Sequence, residues 1–228
     1  MSNTSPGATA YEPIVDDDNS RRFAARYDDQ FAAAERAFLG ALRHRLIGGL
    51  RGHVLEIGAG TGANVPHYLA AAGIERVDLV EPLPSMRALL SHRVALACPA
   101  GQAVHVVAGR AERLPHADAS VDAVVATLVL CSVADVAATL REVRRVLRPG
   151  GVLAYAEHSR SSGPKRLVQA ALTPLAVRHA AGCHYDRDIP AALAAAGFVG
   201  LETIPVEAPW SMRLLPEWPF LAGLATPS

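Results

Sequence analysis

The segment His53-Val54-Leu55-Glu56-Ile57-Gly58-Ala59-Gly60-Thr61-Gly62-Ala63 constrains this chain more than any other. Its apolar half reads as a buried strand and its glycines as a tight turn opening a helix, with an acid two positions before the first glycine. Gly58, Gly60 and Gly62 have no Cβ to hold a ligand away from the backbone, and each tolerates positive φ in such a turn. The turn therefore reads as a cradle for a nucleotide-like ligand. Gly58, Gly60 and Ala63 also satisfy the dinucleotide fingerprint, so the turn alone admits two kinds of cofactor.

The residues that follow narrow the choice. Val77 to Val80 is a second short apolar run, and it ends on Glu81, where a carboxylate can accept from both hydroxyls of a ribose. Val104 to Val107 predicts a third strand, ahead of Ala111-Glu112-Arg113-Leu114-Pro115. The valine-rich run from Val121 to Leu130 predicts a central strand buried on both faces. Leu140 to Leu147 has helical spacing and stops at Arg148-Pro149-Gly150-Gly151, a terminator and turn before a fifth strand from Val152 to Glu157. Upstream, Phe23, Tyr27, Phe31, Phe38, Leu42 and Leu46 fall at mostly helical spacing and predict an amphipathic helix over 19–50. Downstream come a loop over 159–164, helices over 166–181 and 188–196, a strand over 198–206 and a last antiparallel strand within 209–224. Alternating strands and helices predict a doubly wound parallel sheet that binds its ligands beyond the carboxyl ends of the strands. Residues 1–18 read as a disordered leader. Residues 19–228 read as a single domain, divided into a helical lid (19–50), a cofactor-binding core (51–158) and substrate-side helices and final strands (159–228).

Five motifs in series resemble the class I methyltransferases that use S-adenosylmethionine, and specifically their type 11 group. They are Val54 to Gly62, Glu81-Pro82, Ala111 to Pro115, Asp122 to Val125, and Leu147 to Gly151, and the resemblance covers residues 20–205. A nicotinamide-dependent enzyme has no account of Glu56 or of Leu147 to Gly151. The resemblance implies an α/β fold, Rossmann-like and doubly wound, with a mostly parallel seven-stranded sheet and an amino-terminal helical lid. It implies S-adenosyl-L-methionine as cofactor. Gly58, Ala59, Gly60, Thr61 and Gly62 would approach its amino acid end and ribose, with Glu56 in the polar network there. Glu81 would take the ribose hydroxyls, with Pro82 and Met86 beside it. The family pairs an acid with an alanine at the adenine. Here Ala111 matches the alanine, Arg110 stands in the acid's place, and Glu112 is the acid at hand. Thr127 and Leu128 would line the methyl channel, and Tyr27 would close over the sulfonium from the lid.

Composition bounds the remainder. A chain of 228 residues is long enough for one full core, and no apolar run reaches the ~18 residues of a membrane span. The first twenty residues are polar, include Asp16-Asp17-Asp18 and lack the plan of a signal peptide, which predicts a cytoplasmic protein. Net charge is zero and Lys165 is the only lysine, so no basic tract suggests a nucleic-acid partner. Cys98, Cys131 and Cys183 are unpatterned and predict neither a metal site nor a disulfide framework.

The acceptor is read from local features: Leu128 to Val133, Glu157-His158, Ala181-Gly182-Cys183-His184, and Ala208 to Ser211. These resemble a bacterial branch related to the animal alkyl-thiol S-methyltransferases. Those enzymes associate with membranes through an apolar amino-terminal segment that this sequence does not show, which points to a small-molecule thiol. His158 and His184 are the candidate general bases, since a neutral imidazole can take a thiol proton. Glu157 either orients His158 or touches the cofactor's amino group. Cys131 and Cys183 read as apolar packing, and the other seven histidines as surface or structural. Methyl transfer to nitrogen, oxygen or carbon of a small molecule, and non-catalytic binding of S-adenosylmethionine, stay open beside the thiol reading.

Overall fold

The computed structural model describes residues 14–99, 102–180, 182–216 and 218–228. Residues 1–13 of the expected leader lie outside the described residues. Helix α1 (Asp18–Ala34) opens the described chain, with the Asp17 side chain accepting from Ser20 N at 2.7 Å as its cap. A five-residue π-helical segment, Glu35–Leu39, joins it to α2 (Gly40–Ile47). The expected helix over 19–50 is therefore one path with a register change, which turns Phe38 and Leu39 into the core.

The alternating part follows as β1 (Gly52–Ile57), α3 (Val65–Ala70), β2 (Ile74–Glu81), α4 (Pro84–Ala97), β3 (Ala103–Ala108), β4 (Val121–Thr127), α5 (Val136–Val146) and β5 (Leu147–His158). After it come α6 (Lys165–His179), α7 (Ile189–Ala195), β6 (Phe198–Thr203) and β7 (Phe220–Pro227). The seven strands lie in the order β3-β2-β1-β4-β5-β7-β6. β1 to β5 pair in parallel and β7 runs antiparallel to both its neighbours. The strand order reverses between β1 and β4, which opens a crevice at their carboxyl ends.

Period-two burial holds this sheet between two helical layers. Val54, Val125 and Ala154 face one core with Leu46, Ile47 and Leu90, while Leu55, Val124 and Leu153 face the other with Leu140 and Val143. Three expectations are corrected. The central strand ends at Thr127 rather than Leu130, because Leu128 takes φ of +57° and turns the chain into the crevice. Arg148 to Gly151 is not only a turn: Leu147 already pairs with Val121, so β5 begins there. The last strand starts at Phe220, the stretch before it holding a short 3-10 turn at Met212–Leu214. Among the described residues no helix is long and apolar enough to cross a membrane.

One polar cluster lies away from the crevice. Asp78 on β2 is 1% exposed and accepts from His53 Nε2 at 2.9 Å, His116 Nε2 at 3.0 Å and Arg76 Nη2 at 2.9 Å. Burial alone would raise its pKa, but the bonds from His116, Arg76 and His53 outweigh it and hold the carboxyl well below the usual range. Asp78→Asn is expected to cost about 1–3 kcal/mol at pH 7 in urea unfolding, since it sets an amide donor against three donors. A depressed folded pKa stabilises above the unfolded pKa, so the gap between wild type and variant should shrink below about pH 4. An unchanged gap at pH 3 would assign the cost to shape alone.

Candidate active site

A cavity of about 810 Å³ lies beyond the carboxyl ends of β1, β2, β4 and β5. Its wall includes Gly58, Gly60, Glu81, Met86, Ala111 and Leu128, together with Cys131, His158, Cys183, Tyr185, Trp218 and Phe220. Phe23, Tyr27 and Phe31, one helical turn apart on α1, line it as a row, Phe23 edge-to-face with Tyr27 at a centroid distance of 5.5 Å and Tyr27 tilted against Phe31 at 4.7 Å. Burial raises the pKa of Tyr27, so the ring is neutral. The row is tied down through Asp28, which accepts from Thr61 Oγ1 at 2.6 Å and pairs with Arg93.

Within the glycine turn the three glycines have different reasons. Gly58 has φ of +63°, and a Cβ there would lie 2.2 Å from Val129 Cγ2. Gly62 has φ of +88°, and a Cβ would lie 2.7 Å from Leu90 Cδ1, so it serves the packing of α4. Gly60 has φ of +57° and nothing within 4 Å of where its Cβ would be, although it stands on the cavity wall. A ligand can approach the backbone there. Ala59, Thr61 and Gly62 do not line the cavity: Ala59 N donates to Val80 O at 3.1 Å and Thr61 faces α1.

Glu81 is 4% exposed on the wall, its Oε2 accepting from Gly60 N at 2.8 Å and its Oε1 from Leu83 N at 2.9 Å. Burial raises its pKa, with the two amides opposing the shift. Each oxygen keeps a lone pair for a ligand hydroxyl. Pro82 and Met86 line the cavity beside it. Glu112, also on the wall, accepts from Ala134 N at 2.7 Å, and Arg110 Nε stands 3.4 Å from its other oxygen. Burial raises its pKa, yet backbone amides and Arg110 hold it below the usual value. An apolar cavity with an open glycine and an amide-held carboxylate fits the ribose and amino acid end of S-adenosylmethionine.

Glu56 and Thr127 stand behind this wall, in a network whose other members the sequence reading missed. Arg43 on α2, 4% exposed, pairs with Glu35 at 2.9 Å and donates to Asn64 Oδ1 at 2.9 Å and Thr127 Oγ1 at 3.1 Å. Asn64 Nδ2 donates to Glu56 Oε1 at 2.7 Å and to Thr127 Oγ1 at 2.9 Å. Burial pushes the pKa of Glu56 up to about 7, against Asn64 and Arg43. The available signal was a charged residue on an apolar stripe: Arg43 sits one turn from Leu39 and beside Leu42 and Leu46.

The two histidine candidates part company. His158 ends β5, is 3% exposed and lines the cavity, with Nε2 3.0 Å from Cys183 Sγ. Its ring lies 5.6 Å from Tyr185 and 6.2 Å from Phe220. His184 is not part of the wall; its Nδ1 lies 3.9 Å from Asp186, and burial and Arg187 lower its pKa. Glu157 neither orients His158 nor reaches the cavity. Its Oε1 accepts from Val129 N at 2.8 Å and Leu130 N at 2.9 Å, fixing the turn after β4, and burial pushes its pKa up to about 8. Cys131 and Cys183 join His158 on the wall rather than only packing.

A reversed final hairpin on a doubly wound sheet, with this cavity at the switch point, defines the class I S-adenosylmethionine-dependent methyltransferases. The methyltransferase domain family of type 11 matches residues 55–155. Human thiol S-methyltransferase TMT1A is 35% identical over 205 residues, covering 85% of this chain and 79% of that protein. Rat thiol S-methyltransferase TMT1B is 36% identical over 176 residues, covering 75% and 69%. Among solved structures, a chain in the complex of the Haloferax volcanii Trm112 methyltransferase activator superposes with a TM-score of 0.70 at 18% identity, covering 94% of this chain and 100% of that one. The protein belongs to the type 11 class I methyltransferases, and S-adenosyl-L-methionine is its cofactor.

Proposed function

We propose that this methyltransferase transfers a methyl group to the sulfur of a small apolar thiol, with His158 promoting loss of the thiol proton. The observation that carries this reading is the far end of the cavity. There the His158 ring lies 5.6 Å from Tyr185 and 6.2 Å from Phe220, with Trp218 6.0 Å from Phe220, and the carboxylates among the described wall residues, Glu81 and Glu112, stand at the end of β2 and after β3 instead. An ammonium acceptor would find no counter-charge there, whereas a thiol with a reference pKa of about 8.5 needs only a nearby basic group. The thiol S-methyltransferases among the relatives support the same acceptor.

When bound, S-adenosylmethionine supplies the methyl group in line from its sulfonium. Gly58 and Gly60 offer backbone to the amino acid end, while Ala59, Thr61 and Gly62 shape the turn. Glu81 accepts from the ribose hydroxyls, and Pro82, Met86, Ala111 and Glu112 border the adenine. Leu128 lines the methyl channel, Tyr27 covers the sulfonium, and Glu56 and Thr127 act through Asn64. The protein's share of the chemistry is alignment and exclusion of water. His184 has no part in it.

The test is product analysis by mass spectrometry with isotopically labelled cofactor against thiols, amines and phenols. Methylated thiols are expected. Methylated amines or phenols in their absence would sink the thiol reading while leaving the class intact. A thermal shift should also show stabilisation by S-adenosylhomocysteine and not by NAD.

A further inference from the structure

Among the described residues, two clusters bring three His, Cys, Asp or Glu ligand atoms within 4.8 Å of one another. His53, Asp78 and His116 are one, but Asp78 there is already engaged by Arg76 and none of the three lines the cavity. Cys131, His158 and Cys183 are the other, and all three stand on the cavity wall. They come from the turn after β4, the end of β5 and the loop after α6.

We propose that Cys131, His158 and Cys183 bind a thiophilic divalent cation, zinc by its ligand chemistry, with a fourth position open to the cavity where the acceptor thiol coordinates. Two sulfurs and an imidazole nitrogen form a donor set that selects zinc, and three protein ligands with one open position mark a zinc ion that acts on a substrate rather than a structural one. The geometry is close to assembled: His158 Nε2 is already 3.0 Å from Cys183 Sγ. Hydrogen bonds from the backbone hold the three segments together. His184 N donates to Cys131 O at 2.9 Å, and Leu130 N is fixed by Glu157. Charge is compatible. A dication held by two thiolates adds no net charge to this corner, where Arg187 donates to Leu130 O at 2.7 Å.

The site rests on the thiol reading only for its fourth ligand. There the acceptor's S–H bond is replaced by an S–metal bond and its proton leaves to solvent. The bound sulfur keeps a lone pair, and that pair forms the new S–CH3 bond as the bond from methyl carbon to the sulfonium breaks. The resulting thioether is a poorer ligand than a thiolate, so the product leaves. His158 then promotes proton loss as a ligand of the ion.

The protein purified without chelator from zinc-supplemented medium is expected to carry about one zinc per chain by elemental analysis. Metal-free, thiol-reduced protein titrated with Co²⁺ should develop sulfur-to-metal charge-transfer bands and the visible bands of a four-coordinate ion, and a small thiol should shift them. Cys131→Ser, Cys183→Ser and His158→Gln should each weaken Co²⁺ binding roughly 100-fold or more, with Cys98→Ser unchanged and S-adenosylhomocysteine binding reporting the fold. Wild-type protein that binds neither metal, or metal lost in His116→Gln but kept in the three cluster variants, would overturn the site. Full-rate thiol methylation by metal-free protein would overturn the acceptor's coordination at the fourth position and leave the thiol reading standing. Metal bound as described with no thiol methylated would sink the thiol reading and leave the site.

Discussion

Glu81→Ala is expected to weaken binding of S-adenosylhomocysteine by about 2–4 kcal/mol, roughly 30- to 1,000-fold in Kd. The size follows from two losses at one side chain. The carboxylate is assigned the two ribose hydroxyls, each a charge-assisted bond, and it also holds Gly60 N at 2.8 Å and Leu83 N at 2.9 Å. Alanine therefore removes the acceptor and leaves two amides of the turn facing the gap. Titration calorimetry on a variant that keeps the wild-type thermal transition is the measurement. Glu81→Gln keeps one acceptor oxygen and sets an amide NH2 against a backbone donor, so it should fall between the two. Unchanged affinity in a folded Glu81→Ala protein would place the ribose elsewhere and withdraw the assignment of Pro82 and Met86 with it.

His158→Ala is expected to slow single-turnover methylation of a thiol by about 10²- to 10⁴-fold while leaving cofactor affinity within a few-fold, whereas His184→Ala should react at the wild-type rate. The contrast rests on position. His158 is on the cavity wall at the end farther from Glu81, and His184 is off it. The loss is expected in the rate and not in cofactor binding, because the glycine turn and Glu81 are untouched. A wild-type rate in His158→Ala would return His158 to a structural role and leave the cavity to select thiolate already formed in solution. Loss of cofactor affinity in step with rate would instead mean that the variant had collapsed the cavity wall.

The glycine-turn part of the cavity wall was legible because its signals are local. A residue without Cβ is required where the backbone must bend or be approached, and Gly58 and Gly60 stand there. An acid ending a valine-rich strand stands at the carboxyl edge of a parallel sheet, and Glu81 does. Period-two and helical spacing set most of the elements, with errors at their ends and at the π-helical segment Glu35–Leu39 inside the expected helix. The run to Leu130 is apolar throughout, and nothing in its composition says that Leu128 takes the left-handed conformation.

The acceptor side and the network behind the turn were not legible, for a different reason. Cys131, His158 and Cys183 are separated by more than twenty residues each way, and their spacing has no period. They meet because the turn after β4, the end of β5 and the loop after α6 converge there. Arg43 and Glu56 likewise belong to a lid helix and a core strand, and only the packing of α2 against the turn puts Asn64 between them. Residue type and spacing along the chain determine which stretches become strand, turn and helix, since sterics and burial act on neighbours. Which of two histidines faces the cavity, and whether two cysteines pack or meet a histidine, depends on side-chain directions summed over distant segments, and that was decided by the folded structure alone.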